Sequence, residues 1–219
     1  MSGNKVFVIG LGLIGGSLAL AIKREHRSSV ILGYDVDQSQ VELAASIGVI
    51  DAAVEQIADG VKAADFIIIA APVVEAESII DQLLECRFKE GAIVTDVGST
   101  KQEIMKKAKK LRGKGVIFIG GHPLAGSHKT GVASASARLF ENAFYVLIEN
   151  EGAQKQEVEK LKRLLTGTKA TFIGMTSEEH DRIVGAISHF PHIVASGLVH
   201  QLEKLDVERF DVRSLAAGG

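Results

Sequence analysis

Four short segments of this chain carry residues able to hold a phosphate or move a proton. The first is Gly10-Leu11-Gly12-Leu13-Ile14-Gly15, a G-x-G-x-x-G run. In such a turn Gly10 permits the tight bend and Gly12 lets a pyrophosphate reach the backbone. Gly15 lets the following helix pack closely, and that helix supplies unpaired N–H groups and a positive dipole end. Asp35 follows Gly15 by 20 residues, at the end of the next apolar run. That is the place of an acid that hydrogen-bonds a ribose diol. A 2′-phosphate there would meet Asp35 and Asp37 with no arginine close behind, which favours NAD over NADP. The bland alternative is a glycine-rich turn that binds nothing.

Two further segments each leave an apolar run that reads as a strand. Asp96-Val97-Gly98-Ser99-Thr100-Lys101 offers hydroxyls, although Ser99 or Thr100 also reads as a helix N-cap. Gly98 in that turn counts with the cofactor residues. Gly120-Gly121-His122-Pro123-Leu124-Ala125-Gly126-Ser127 sets a histidine among small residues, with room for a substrate. A neutral imidazole is the ordinary general base near pH 7. His122 is therefore the candidate base. The fourth segment is Ser188-His189-Phe190-Pro191-His192, whose histidines also read as helix-surface residues near a kink. Ala71, Pro72 and Val73 follow another strand pattern and suit a cofactor wall, where ligands collect in open parallel sheets. His26, His180 and His200 lie on helical patterns and carry no assignment. No cluster of His, Cys and acids has metal-ligand spacing, so no metal is expected.

The elements that must position these segments alternate. Strand-length apolar runs are expected at Lys5–Gly10, Val30–Asp35, near Val49, and at Asp65–Ala71, Ala92–Val97, Val116–Gly120, Ala143–Glu149 and Thr171–Ile173. Helical patterns are expected at Leu13–His26, Asp37–Ile47, Glu75–Cys86, Lys101–Leu111 and Gln154–Leu165. Strands apolar throughout are covered on both faces, as in a parallel sheet. The pattern predicts an α/β, Rossmann-like, doubly wound and mainly parallel sheet over residues 1–175. From Ser177 the spacing is helical only, and Pro191 is expected to end one helix and start another. Residues 176–219 read as the start of an all-helical domain that is expected to be incomplete.

Composition narrows the function classes. The 219 residues are 46% hydrophobic and carry a formal net charge of -2, which argues against disorder and against nucleic acid as a partner. The longest uninterrupted apolar run, Phe66–Val74, is nine residues where a membrane span needs about twenty. The single cysteine, Cys86, excludes a disulfide scaffold and fits a reducing, cytoplasmic setting.

In this order and spacing, GLGLIGGS, Asp35, DVGSTK, GGHPLAGSHKTG and SHFPH closely resemble the prephenate dehydrogenase family of tyrosine biosynthesis. The resemblance spans nearly the whole chain, and GGHPLAGS with SHFPH is its specific part. It implies an NAD-binding domain followed by a helical domain that forms a homodimer in the full-length protein. It implies NAD-dependent oxidative decarboxylation of prephenate to 4-hydroxyphenylpyruvate. His122 would then be the base, with Ser99 orienting it and touching the same hydroxyl or the nicotinamide. Ser127 and His189 would face the substrate. Two departures stand out. His128 replaces an acid that gates the site in some relatives. The family's substrate-carboxylate arginine would lie beyond residue 219, and neither Arg209 nor Arg213 matches it. Arogenate dehydrogenase is the nearest alternative, and a non-catalytic dinucleotide-sensing module the alternative from another class. A β-hydroxyacid dehydrogenase is disfavoured, because no lysine motif of that family appears in the helical segment.

Overall fold

The computed structural model describes residues 3–149, 153 and 155–204. Contacts divide the chain into two units, Met1–His180 and Asp181–Gly219. The first unit has a six-stranded parallel sheet in the order β3-β2-β1-β4-β5-β6. Its strands are β1 (Lys5–Ile9), β2 (Val30–Tyr34), β3 (Ala52–Ala53), β4 (Phe66–Ile69), β5 (Ile93–Asp96) and β6 (Ile117–Ile119). Helices α1 (Leu13–Glu25), α2 (Gln38–Ser46), α3 (Ile57–Ala63), α4 (Val73–Leu84) and α5 (Gln102–Ala108) cover its faces. A smaller sheet follows, β7 (Gly121–Pro123), β8 (Phe144–Ile148) and β9 (Thr171–Met175), with α6 (Lys155–Leu164) before β9. In it β7 runs antiparallel to β8, and β9 runs parallel to β8. This is the expected Rossmann-like fold.

The apolar runs explain the layering. Val6–Ile9 and the whole of β4 are buried, because both faces of the sheet are covered. One core gathers Val6, Val8, Leu18, Ile22 and Ile31 with Leu161 and Leu165; the other gathers Phe7, Ile9, Ile67 and Ile69 with Ile80 and Leu83. The order reverses between β1 and β4, and at such a switch point the connections diverge and leave a crevice at the carboxyl ends. Gly10, Asp35, Ala70–Pro72 and Asp96–Ser99 all lie at that edge.

The structure differs from the sequence expectations in five places. The strand expected near Val49 is at Ala52–Ala53, while Val49 and Ile50 serve the core. Helix α3 had no counterpart among the expected elements. His122 is not in a loop but at the centre of strand β7. Pro191 does not divide two helices: a π-helical segment, Gly185–His189, leads from α7 (Ser177–Val184) into α8 (Phe190–Lys204). A widened turn accommodates a residue that cannot donate its backbone N–H. Finally, the length of unbroken apolar runs understates the helical stretch Ser177–Gln201, whose apolar residues are interspersed with polar ones. It is 25 residues long and reaches a mean hydropathy of 1.3, enough to cross a membrane by length and composition alone. Ile187, Phe190, Ile193 and Leu198 are exposed on it. Arg209 and Arg213 lie outside the described residues.

Candidate active site

The three fingerprint glycines do separable work. Gly10 sits at φ +99°, and a methyl group on it would fall 2.5 Å from the Ala70 carbonyl oxygen. One on Gly15 would fall 2.0 Å from the Gly10 carbonyl oxygen. Those two positions let the turn, α1 and the end of β4 close together. At Gly12 nothing lies within 4 Å of the same methyl position, so the space belongs to whatever the turn binds. Gly12 is also the N-cap of α1 and provides no side chain to its first N–H groups. Leu13 and Ile14 form that first turn and are half-buried.

Asp35 closes the turn from the β2 side. Its Oδ2 accepts the Leu11 N–H at 2.6 Å and its Oδ1 the Asp37 N–H at 2.9 Å. A carboxylate oxygen has two acceptor directions, so capacity remains for a diol. Asp37 in turn caps α2, where the Ser39 hydroxyl and amide hold its carboxyl below the usual carboxylate range. A cavity of about 360 Å³ opens beside Asp35, lined by Gly10, Gly12, Ala71, Pro72, Ile57 and Ile79 among others. Pro72 is the N-cap of α4, and Val73 its first residue. The arrangement fits a dinucleotide: donors and a positive helix end for phosphates, an acid for a ribose, and an apolar cleft for a base.

His122 lies just past β6, where the chain passes from one sheet to the other. His122 pairs across the ladder with Val146 and is half-buried. Its Nδ1 is 2.9 Å from His180 Nε2, with the rings edge to face at 67°. His180 is fully buried. It is held there by the start of α7, where Thr176 and Glu179 exchange hydrogen bonds. Such a reciprocal box fixes the first helical turn, and the His180 N–H closes on the Thr176 carbonyl at 3.0 Å. His122 thus shares a hydrogen bond with His180, where the family resemblance implied that Ser99 orients it. The spacing T-x-x-E ahead of His180 was the available signal. Ser99 itself is exposed at the carboxyl end of β5.

Ser127 is exposed, and its hydroxyl accepts the Lys129 N–H at 3.2 Å within its own loop. His189 is half-buried and ends the π-helical segment of the second unit. His192 Nδ1 is 2.7 Å from the Ser188 carbonyl oxygen, an internal helix contact.

Comparison with known proteins adds a family. Residues 18–174 match the model for the nucleotide-binding domain of prephenate dehydrogenase, and residues 176–219 the model for its dimerization domain. Over 99% of the chain, the prephenate dehydrogenases of Bacillus subtilis and Lactococcus lactis are each 46% identical. The chain spans 58% and 59% of their respective lengths. Among solved structures, a prephenate dehydrogenase from A. aeolicus in complex with hydroxyphenyl propionate and NAD+ superimposes with a TM-score of 0.90. It is 30% identical and covers 100% of this chain, which spans 76% of that one. A Synechocystis arogenate dehydrogenase is 32% identical with a TM-score of 0.80, over 97% of this chain and 73% of its own.

Proposed function

Because the chain belongs to the prephenate dehydrogenase family, we propose that it carries the NAD site and the catalytic base of an NAD-dependent prephenate dehydrogenase. The reaction is oxidative decarboxylation of prephenate to 4-hydroxyphenylpyruvate, with bound NAD+ supplying the hydride acceptor. Gly10, Leu11, Gly12 and the first turn of α1 (Leu13, Ile14, Gly15) hold the pyrophosphate. Asp35 takes the adenosine ribose, and Ala71, Pro72, Val73 and Gly98 wall the cleft. Residues 1–175 make the NAD-binding domain, and 176–219 begin the helical dimerisation domain.

The observation that carries this reading is the tie between His122 and buried His180. For His122 to accept a proton at Nε2, its Nδ1 must carry the hydrogen and donate to an unprotonated His180 Nε2. His180 then selects the tautomer and eases the charge that develops as His122 takes the ring hydroxyl proton. The hydride leaves the carbon bearing that hydroxyl. Loss of the ring carboxylate as CO2 returns its bond electrons to the ring, which becomes aromatic. Ser99 touches the same hydroxyl, while Ser127 and His189 contact the substrate. The exposed apolar residues of α8 suit a homodimer contact of the full-length protein, in keeping with the matched dimerization domain. A cytoplasmic location accords with a soluble biosynthetic role.

Prephenate is favoured over arogenate by the two curated relatives at 46% identity. The test is NADH formation by the full-length protein with each substrate, alongside His122→Asn. Prephenate turnover with a loss of about 10²–10⁴ in kcat on that substitution is expected. Failure of both substrates, or an unaffected His122→Asn enzyme, would refute the assignment.

A further inference from the structure

Beneath the proposed site lies a charged pair that the reaction chemistry does not use. Asp96 ends β5 and Lys101 is the N-cap of α5, and both side chains are fully buried. The Lys101 ammonium contacts Asp96 Oδ2 directly and donates to the Gly121 carbonyl at 2.8 Å. Asp96 Oδ1 accepts the Gly121 N–H at 3.2 Å, and Oδ2 accepts the Gly98 N–H at 2.8 Å. The pair therefore grips both backbone polar groups of the residue before His122, and the N–H of the residue before Ser99.

Its position is also distinctive. β6 ends at Ile119 and β7 begins at Gly121, where the chain leaves the parallel sheet for the mixed one. Ladder hydrogen bonds fix β7 to β8, whereas β7 and β5 belong to different sheets. The ion pair ties those two strands together. A buried ion pair is a poor device for stability alone, since its desolvation offsets most of its attraction. What it does hold are fixed contacts to the backbone on both sides, at Gly98 and at Gly121.

We infer that Asp96 and Lys101 are positioning residues of the chemical step, fixing the Ser99 turn and the His122 strand at one separation. The inference rests on the reading of His122 as base. It predicts that disturbing the pair slows proton and hydride transfer more than it weakens dinucleotide binding, which it touches only through the Gly98 N–H.

The experiment uses the full-length enzyme and the double variant Asp96→Asn/Lys101→Met, which removes both charges and strands neither. Measured are kcat, KM, NAD affinity, and the deuterium isotope effect with prephenate labelled at its carbinol carbon. The expected result is a kcat loss of about 10- to 100-fold, since small displacements of a reacting group have costs of that order. NAD affinity falls by much less than kcat, and the isotope effect on kcat rises as chemistry becomes limiting. A folded double variant with unchanged kcat and isotope effect overturns the inference, leaving the pair a fold contact. Should the double variant not fold, the charge-conserving Asp96→Glu, which keeps the pair but shifts it by one methylene group, is measured in its place: a slowed chemical step supports the positioning role, and unchanged kcat and isotope effect overturn it. His122→Asn runs in parallel: its loss alone, beside unaffected pair variants, sinks the positioning role and spares the base.

Discussion

Around the Gly10–Gly15 turn the work is done by backbone, in a stretch of six residues plus one acid 20 positions on. Around His122 it is done by side chains that arrive from residues 96, 101 and 180. At the nucleotide end, steric room is the controlling quantity: glycines either allow close packing or leave space. At the His122 end, the controlling quantity is how buried polar groups satisfy one another. A defect in the first should show as lost affinity or lost fold, and a defect in the second as lost rate.

The sharpest break in that comparison comes from His180. Replacing it with leucine removes the contact between His180 and His122 Nδ1. Misplacing a reacting group by a small distance costs on the order of 100-fold. The expected outcome in steady-state assays of the full-length enzyme is a fall in kcat of that size, with NAD affinity unchanged. An equal fall in NAD affinity would show that the two ends are not separable.

The second prediction divides the nucleotide end itself. Gly15→Ala pushes a methyl group toward the Gly10 carbonyl oxygen, 2.0 Å from its unrelaxed position, while Gly12→Ala meets no protein atom within 4 Å. Overpacking of that kind costs about 1–3 kcal/mol. Thermal denaturation should therefore separate the variants: Gly15→Ala melts earlier, and Gly12→Ala melts as wild type but binds NAD more weakly. Matching melting curves would mean that Gly15 also serves the ligand rather than the packing of α1.

This division also explains what was legible in the sequence. The parallel sheet was readable because Val6–Ile9 of β1 and the whole of β4 are apolar, a local signal of a strand covered on both faces. The fingerprint was readable because its constraints fall within one turn. Helix α3 was not, because Gly60 looks like a break; in the structure it packs where a methyl group would strike the Phe7 ring at 2.5 Å. His122 could be picked from its small neighbours, but His180, 58 residues away, looked like any helical histidine. Lys101 read as the start of a basic helix, and its burial against Asp96 depends on contacts no local pattern encodes. Pairings between distant polar groups leave little trace in a single sequence.

A smaller effect is expected at Asp35, which belongs to both kinds of device because its carboxylate also holds the Leu11 N–H. Asp35→Ala should weaken NAD and narrow its advantage over NADP, by about tenfold if one charge-assisted hydrogen bond is lost. Titrating both dinucleotides against the variant checks this. Unchanged discrimination would remove Asp35 from the ribose and leave it as a brace for the turn.

The smallest effect tests whether the two regions share a frame. Arg24, near the end of the helix that begins at the fingerprint, donates to Glu141 at 2.9 Å and to the Gly167 carbonyl at 2.5 Å. Glu141 lies just before β8, the strand that pairs with His122. Hydrogen bonding from Arg24 holds the Glu141 carboxyl below the usual carboxylate range, with Lys169 adding to the effect. A depressed carboxylate stabilises the fold fully above its unfolded value, about 4.3 for glutamate, and the contribution fades as pH falls through the lower folded value. The melting temperature of Glu141→Gln should therefore sit slightly below wild type near neutral pH, and the gap should close as the solution is acidified below pH ~4. A gap that persists unchanged in acid would mean that the contact acts through shape, and that charge does not join the nucleotide helix to the strand beside His122.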